Sequence, residues 1–315
     1  MSKLRIVFMG TPDFAVAILD SLIANNYEVV GVITAPDKPA GRGRKLHESA
    51  VKVYAKEKGL TLLQPTNLKQ EEFLNQLSDL KADLQIVVAF RMLPREVWQM
   101  PALGTFNLHA SLLPQYRGAA PINWAIINGE TETGVTTFFI DDKIDTGEIL
   151  LQKKTTIDKD DTAGILHDKL MYLGADLVVE TVKRIENKDI VPSKQQDNNA
   201  LKEAYKIHKD TCEIDWSQPI KNIYDKIRGL SPYPTSWTTL YNGEDELFLK
   251  IYTASMEEAE HDLKTGSLFF NKSQIKVAVD GGFIALLEIQ LPGKRKMATK
   301  DVLNGLKLKN EAYVG

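Results

Sequence analysis

The sequence has one cysteine in 315 residues, Cys212, so no disulfide can form within the chain. No apolar run approaches the roughly 18 residues of a membrane-spanning helix, and the first residues lack the apolar core and cleavage site of a signal peptide. Disulfides belong mainly to oxidising compartments. We therefore expect a cytoplasmic protein without a membrane segment, in which Cys212 is an inert thiol.

Strong positive charge is also missing. The formal net charge is -3, which excludes a uniformly basic nucleic-acid binder. Any contact with RNA must therefore come from local basic patches.

Two kinds of cofactor signature are absent as well. The apolar strand at residues 4–9, a helix capped by Asp13 and a strand at residues 28–34 predict a Rossmann-type β-α-β unit. Gly10 is followed by Thr-Pro-Asp and not by Gly-x-x-Gly, so the close backbone approach to a dinucleotide has little support. No metal site is expected either, since the histidines outside the central stretch lack paired ligands at useful spacing, namely His47, His167, His208 and His261.

The most informative stretch present is residues 104–150. Its first part predicts a short strand in which Asn107 and His109 share a face, because side chains alternate along a strand. Asp145 follows in a polar loop after the apolar strand at residues 135–140. Pairing of these two strands would bring Asp145 beside His109, at the sheet edge where α/β proteins bind ligands.

An amide, an imidazole and a carboxylate together suit acyl transfer to an amine. Asn107 or protonated His109 can stabilise an oxyanion, and His109 with Asp145 can move protons. Ser111 lacks a Gly-x-Ser-x-Gly elbow, which disfavours a serine hydrolase. The plainer alternative is that Asn107 caps a turn and His109 is a buried, satisfied histidine.

Several motifs carry a resemblance to a known family: Asn107-x-His109, Ser111-Leu-Leu-Pro114, Tyr116-Arg-Gly-Ala-Ala-Pro-Ile122, Gly134-Val-Thr136 and Asp145-Thr-Gly147. They resemble the folate-dependent formyltransferases, and the resemblance runs from Arg5 to about Gly315. It implies 10-formyltetrahydrofolate as formyl donor and Asn107, His109 and Asp145 as catalytic residues. The Arg-Gly-Ala-Ala-Pro-Ile segment is similar to that of the branch whose acceptor is methionyl initiator tRNA.

The resemblance also implies a folate site. The turn formed by Ser111, Leu112, Leu113 and Pro114 would line it, and the loop at residues 90–94, with Phe90 and Met92, would face the pterin ring. The tRNA branch usually has Tyr-Gly where this sequence has Phe90-Arg91.

Residues 35–46 combine two prolines, two glycines and several basic residues. This composition predicts a mobile loop, either a solvated linker or a basic finger that holds phosphates. The contacts of such a finger would be Lys38, Arg42, Arg44 and Lys45, and by resemblance the loop would meet the tRNA acceptor stem.

Organisation along the chain predicts an α/β class, with a Rossmann-like, mostly parallel sheet and helices on both faces, followed by a small C-terminal β-barrel of the oligonucleotide-binding type. We expect a catalytic domain at residues 1–188, a linker at 189–205 and a barrel domain at 206–315. The barrel carries a basic run that is either a solvated face or a strip for the tRNA backbone, through Lys294, Arg295 and Lys296.

The expected activity is formyl transfer to methionyl initiator tRNA, with tRNA and folate as partners and no obligate protein partner. The alternatives are a formyltransferase for a sugar nucleotide or a purine precursor, and an RNA-binding module on an inactive scaffold. Neither small substrate needs the basic loop or the barrel.

Overall fold

The computed structural model describes residues 3–40, 45–196 and 200–315. The chain divides into two compact units. One is built from Met1–Gly118, Thr133–Thr155 and His167–Glu203, and the other from Ala119–Glu132, Thr156–Leu166 and Ala204–Gly315. Among the helices in these described ranges, none has the length and apolar character needed to cross a membrane.

The strands are, in chain order, β1 Arg5–Gly10, β2 Glu28–Ile33, β3 Lys38–Ala40, β4 Lys45–His47, β5 Leu62–Leu63, β6 Leu84–Val88, β7 Thr105–His109, β8 Arg117–Gly118, β9 Glu132–Phe139, β10 Ile149–Thr156, β11 Glu203–Ala204, β12 Ser236–Asn242, β13 Asp245–Glu258, β14 Leu268–Phe270, β15 Ile275–Val279, β16 Gly282–Gln290, β17 Met297–Ala298 and β18 Tyr313–Val314. The helices are α1 Asp13–Ala24, α2 Ala50–Glu57, α3 Glu71–Asp79, α4 Arg95–Trp98, α5 Pro121–Ile127, α6 Ala163–Asn187, α7 Ile220–Gly229 and α8 Thr299–Val302, with a 3-10 turn at Asp210–Cys212.

The first unit contains a seven-stranded sheet in the order β10-β9-β7-β6-β1-β2-β5. The pairs of β1 with β2 and β6, of β2 with β5, and of β6 with β7 are parallel. Strand β9 pairs with β7 in the antiparallel sense. The central strand β1 is buried from Ile6 to Met9, as a strand must be when both faces of its sheet are covered. The predicted mostly parallel α/β sheet is confirmed.

Helices cover both faces of this sheet. On one face, Val7 and Val87 belong to the same buried cluster as Phe73 of α3. On the other, Gly174 of α6 lies so close to Leu108 that an added Cβ would come within 2.7 Å of the leucine side chain. Asn107 is the register partner of Val87, so Asn107 and His109 lie on the face that carries α3.

Two local predictions were wrong. Helix α1 begins at Asp13 and has Pro12 as its N-cap, with no side-chain hydrogen bond, so Asp13 does not cap it. The segment expected to be a loop forms a hairpin at its base, with Lys38 opposite His47. An isolated two-stranded ladder consists only of edge strands, where proline is tolerated.

The second unit contains an antiparallel sheet in the order β14-β15-β16-β13-β12-β18, with β17 beside β16. A bridge between Ser267 and Tyr313 nearly closes it into a barrel, and α7 packs into its core through Ile223 and Ile227. The predicted C-terminal β-barrel is confirmed. The two-residue strands β17 and β18 are too short to carry an alternating pattern in the sequence.

Candidate active site

Two of the candidate catalytic side chains lie on β7. Asn107 pairs with Phe138 and His109 with Thr136 of β9, and both project from the same face because they are two residues apart. His109 is buried, with only 6% of its surface exposed. A strand buried between two neighbours allows little movement, so both polar groups have fixed positions.

A backbone carbonyl sets the orientation of the His109 ring. Nε2 lies 2.8 Å from the carbonyl oxygen of Tyr116, so this nitrogen carries a proton and donates it. Nδ1 lies 3.8 Å from Oδ2 of Asp145, which is longer than a hydrogen bond. Nδ1 is therefore the ring nitrogen that faces the carboxylate and can exchange a proton with a bound group.

The loop that carries Asp145 begins at the end of β7 opposite to His109. Because β9 runs antiparallel to β7, it ends beside Phe106, at the amino end of β7. The loop that follows must turn back along β7 to bring Asp145 within 3.8 Å of His109. The same loop passes so close to β9 that a Cβ on Gly147 would lie 1.6 Å from the carbonyl oxygen of Phe139, so only glycine fits there.

Hydrogen bonds hold the Asp145 carboxylate and its backbone. Oδ2 accepts from the backbone N–H of Gly118 at 2.9 Å. The side-chain amide of Gln195 donates to the carbonyl oxygens of Asp145 at 2.9 Å and Gly147 at 2.8 Å. Asp145 and Tyr116 both have positive φ, 54° and 60°. Such strained non-glycine residues persist only where surrounding contacts hold them.

Asn107 carries an unused polar atom. Its Oδ1 is buried and has no hydrogen-bond partner among the residues that the structure describes. A buried polar group without a partner is costly, which is typical of a group that binds a ligand. Rotation of the amide by half a turn exchanges its donor and acceptor, so this position can serve either an oxyanion or an amine.

The turn after β7 is held by polar side chains from β9 and β10. Thr136 donates to the carbonyl of Ser111 at 2.7 Å and accepts from the N–H of Leu113 at 3.1 Å. Gln152 donates to Thr136 and to the carbonyl of Leu113, each at 2.9 Å. Ser111 uses its own hydroxyl for the carbonyl of Gln115. Of the four turn residues, Leu112 and Pro114 are partly exposed, whereas Ser111 and Leu113 are buried.

The loop after β6 begins at the same edge of the sheet, because β6 and β7 are parallel neighbours. Phe90 packs against the buried cluster on the α3 face, whereas Met92 is 66% exposed. Arg91 donates to the carbonyls of Pro65 and Thr66 and so ties this loop to a neighbouring one. The departure at Arg91 thus has a structural role.

The basic loop is closed at its base. Lys52 Nζ lies 2.5 Å from Asp37 before the hairpin and 3.0 Å from Glu48 after it, and the hydroxyls of Thr34 and Ser49 meet at 2.7 Å. Hydrogen bonds from Lys52 lower the pKa of both carboxyl groups and raise the pKa of Lys52.

Two of the four candidate phosphate contacts lie on the strands of this hairpin. Lys38 is exposed at the start of β3, and Lys45 begins β4. Arg42 and Arg44 lie outside the residues that the structure describes.

In the second unit, Lys294, Arg295 and Lys296 are exposed just before β17. Lys296 donates to Glu288 at 3.0 Å, lies over the ring of Tyr252 and contributes to the lowered pKa of Glu288. Of the three residues in the predicted basic run, Lys296 is thus paired with Glu288 of a neighbouring strand.

Other candidate chemistries find little support. Within residues 3–40, 45–196 and 200–315, no group of three or more His, Cys, Asp or Glu side chains is placed to hold a metal ion. Cys212 is buried, and desolvation raises the pKa of its thiol, as expected for an inert cysteine.

Sequence reasoning missed the residues that hold the loops. Gln195 and Gln152 make hydrogen bonds that position the site, yet neither carried a signal. Gln195 lies in a polar stretch whose composition predicts only a linker, and Gln152 lies in an amphipathic strand. Several of their partners are backbone carbonyls, which a sequence pattern does not reveal.

Comparison with known proteins places this geometry in a family. Residues 4–182 match the family described as "Formyl transferase", and residues 206–307 match "Formyl transferase, C-terminal domain". A protein of Flavobacterium johnsoniae named "Methionyl-tRNA formyltransferase" is 60% identical over 314 residues, with both chains fully covered.

Solved structures give the fold independently. An N-formyltransferase from Helicobacter canadensis, described with folinic acid and dTDP-3-aminofucose, has a TM-score of 0.64 at 20% identity, and the match covers 90% of this chain and 98% of that one. HypX from Aquifex aeolicus, described in complex with tetrahydrofolic acid, has a TM-score of 0.65 at 17% identity, covering 98% of this chain and 49% of that one.

Proposed function

The chain belongs to the formyl transferase family, and we propose that it transfers the formyl group of 10-formyltetrahydrofolate to the α-amino group of methionyl initiator tRNA for translation initiation. The observation that carries this proposal is the 60% identity, over the full length of both chains, with a relative named for that substrate. The juxtaposition of Asn107, His109 and Asp145 supplies the groups that the chemistry needs. We further propose that the protein acts in the cytoplasm, where translation is initiated.

The buried Asn107 amide, whose Oδ1 has no partner among the described residues, supports a role at the reacting carbonyl, because half a turn of the amide presents its N–H donors instead. An amine that adds to a formyl group produces an oxyanion, which a positioned amide donor stabilises. We assign this donor to Asn107, together with His109 when it is protonated. The Asn107 amide has only to rotate about its terminal bond to offer this donor, because the backbone of both residues is held in β7.

His109 manages the protons. The amine must lose a proton and the departing folate nitrogen must gain one, so no net proton is consumed. With Nε2 bound to the carbonyl of Tyr116, Nδ1 is the nitrogen that takes and returns this proton. The Asp145 carboxylate facing Nδ1 stabilises the positive charge that the ring carries in between.

We place the folate along the carboxyl edge of β6 and β7. The turn from Ser111 to Pro114 is braced by Thr136 and Gln152, so its backbone presents fixed groups to a ligand. In the loop after β6, Phe90 packs against the buried cluster, and exposed Met92 is available as an apolar contact for the folate.

We propose that the tRNA contacts come from two basic regions. One is the loop with Lys38, Arg42, Arg44 and Lys45, and the other contains Lys294, Arg295 and Lys296. The two family matches, at residues 4–182 and 206–307, support a catalytic domain at 1–188, a linker at 189–205 and a barrel domain at 206–315.

A panel of acceptors tests the proposal. Purified protein receives radiolabelled formyl donor together with methionyl initiator tRNA, free methionine, glycinamide ribonucleotide or an amino-sugar nucleotide, each in a separate reaction. Only the charged tRNA should accept label efficiently, because remote contacts hold the amine at the formyl carbon and a truncated substrate loses rate as well as affinity. Labelling of a small acceptor with the tRNA inert would overturn the tRNA assignment. No label in any acceptor would point to an inactive scaffold.

A further inference from the structure

Gln195 is half-buried, and its side chain makes an unusual set of contacts. It lies in a polar stretch, yet every hydrogen-bonding position of its side chain is used. The amide nitrogen donates to the carbonyls of Asp145 at 2.9 Å and Gly147 at 2.8 Å. The amide oxygen accepts from Nε and Nη2 of Arg117 at 3.1 and 2.7 Å.

These contacts connect the chain segments on both sides of the Asp145 carboxylate. Gln195 holds the backbone of the loop that carries Asp145, and it also holds Arg117. The residue after Arg117, Gly118, donates its N–H to the Asp145 carboxylate. The residue before it, Tyr116, supplies the carbonyl that orients His109. The Gln195 carboxamide thus connects the segment that holds the Asp145 carboxylate with the segment that orients the His109 ring.

The backbone around Gln195 is itself fixed. Ser193 and Ile149 exchange two backbone hydrogen bonds, at 2.8 and 2.9 Å, so the segment is attached to the start of β10. The left-handed backbone of Asp145 is unfavourable for a residue with a side chain, and the contacts of Gln195 offset that cost. Without them, the loop is free to relax and the carboxylate to leave its place opposite Nδ1.

We propose that Gln195 is a positioning residue for formyl transfer, which acts by holding Asp145 opposite His109. It touches neither substrate in this role. The inference rests on the proposed function, since it assigns the residue a part in that reaction. It predicts a loss in kcat with little change in either KM, because the contacts lie behind the reacting groups.

Two substitutions separate the contacts of Gln195. Gln195→Ala removes all of them. Gln195→Glu keeps an acceptor for Arg117 but replaces the two N–H donors by oxygen, which repels the loop carbonyls. We expect both variants to lower kcat by roughly ten- to a hundredfold, as small displacements of catalytic groups do. Gln196→Ala, a change of the same type at an exposed neighbour, should behave like the parent.

A double-mutant cycle tests whether Gln195 acts through Asp145. If it does, Gln195→Ala should cost less than about threefold in kcat when Asp145→Asn is already present, because residues that act as a unit are not additive. A general structural defect would instead lower kcat by the same factor whether or not Asp145→Asn is present. Unfolding midpoints of all variants identify any that fail to fold, and Gln195→Glu then serves in place of Gln195→Ala.

Parental kcat in Gln195→Ala, recovery of kcat in Gln195→Glu, or full multiplication in the cycle would each overturn the inference. These results are distinct from a failure of the proposed function, in which the parent itself would not formylate the charged tRNA.

Discussion

His109 Nδ1 and Asp145 Oδ2 face each other across 3.8 Å, without a direct hydrogen bond. Nε2 of the same ring is held by the carbonyl of Tyr116. The imidazole is therefore oriented by the backbone, and the carboxylate acts on it through charge. This differs from an arrangement in which an aspartate binds the histidine directly and selects its tautomer.

This relationship sets the expected effect of Asp145→Asn. The variant keeps the shape of the side chain and can still accept from Gly118, but it removes the negative charge opposite Nδ1. We expect kcat to fall by about 10²-fold or more, with both KM values nearly kept. Steady-state kinetics on charged tRNA measures this, and an unchanged kcat would mean that the charge of Asp145 plays no part.

Removal of the His109 or the Asn107 side chain should lower kcat at least as much as Asp145→Asn does. His109→Ala and Asn107→Ala should each lower kcat by roughly 10²-fold or more, about 2.7 kcal/mol of transition-state stabilisation. Folate affinity, measured by equilibrium binding, should be largely kept. The matched control is His208→Ala, which changes an exposed histidine. Parental turnover in His109→Ala would refute the site assignment.

The basic loop should contribute to tRNA use alone. The double change Arg42→Ala, Arg44→Ala should raise KM for tRNA. It should also flatten the salt dependence of KM, by about one unit of log–log slope for each phosphate that the loop no longer binds. Folate binding should stay at the parental value because the proposed folate contacts lie on other loops. If folate affinity falls instead, the loop belongs to the folate pocket.

Lys52 should also affect the KM for tRNA, although it does not contact the tRNA itself. It bridges Asp37 and Glu48, so Lys52→Met should open the base of the loop and raise KM for tRNA while folate binding is kept. Lys69→Met, at an exposed lysine, is the control. An unchanged KM would show that the loop needs no closure at its base.

The same bridge predicts a pH dependence of stability. The pKa values of Asp37 and Glu48 are lowered in the folded protein. Their contribution is therefore present above the unfolded pKa of about 4 and is lost as the pH falls through the folded value. Urea unfolding at several pH values should show parent and Lys52→Met converging below about pH 4. A constant difference across this range would contradict the assignment.

Local patterns in the sequence predicted much of this molecule. The apolar run of β1 and the alternation in β7 each predicted elements that the structure contains. These signals are local, because the spacing of apolar residues that identifies a strand or a helix can be read from consecutive residues. Asn107 and His109 stood out for the same reason, as they alternate with apolar residues, and Asp145 stood out in the polar loop after an apolar strand.

Tertiary structure decided how those residues meet. The antiparallel direction of β9, the return of the Asp145 loop along β7 and the capture of that loop by Gln195 all depend on contacts between distant segments. Gln195 lies 50 residues beyond Asp145 and bonds to its backbone carbonyl, a group that every residue possesses. Side-chain identity therefore could not reveal this contact, and only the folded path of the chain determines it.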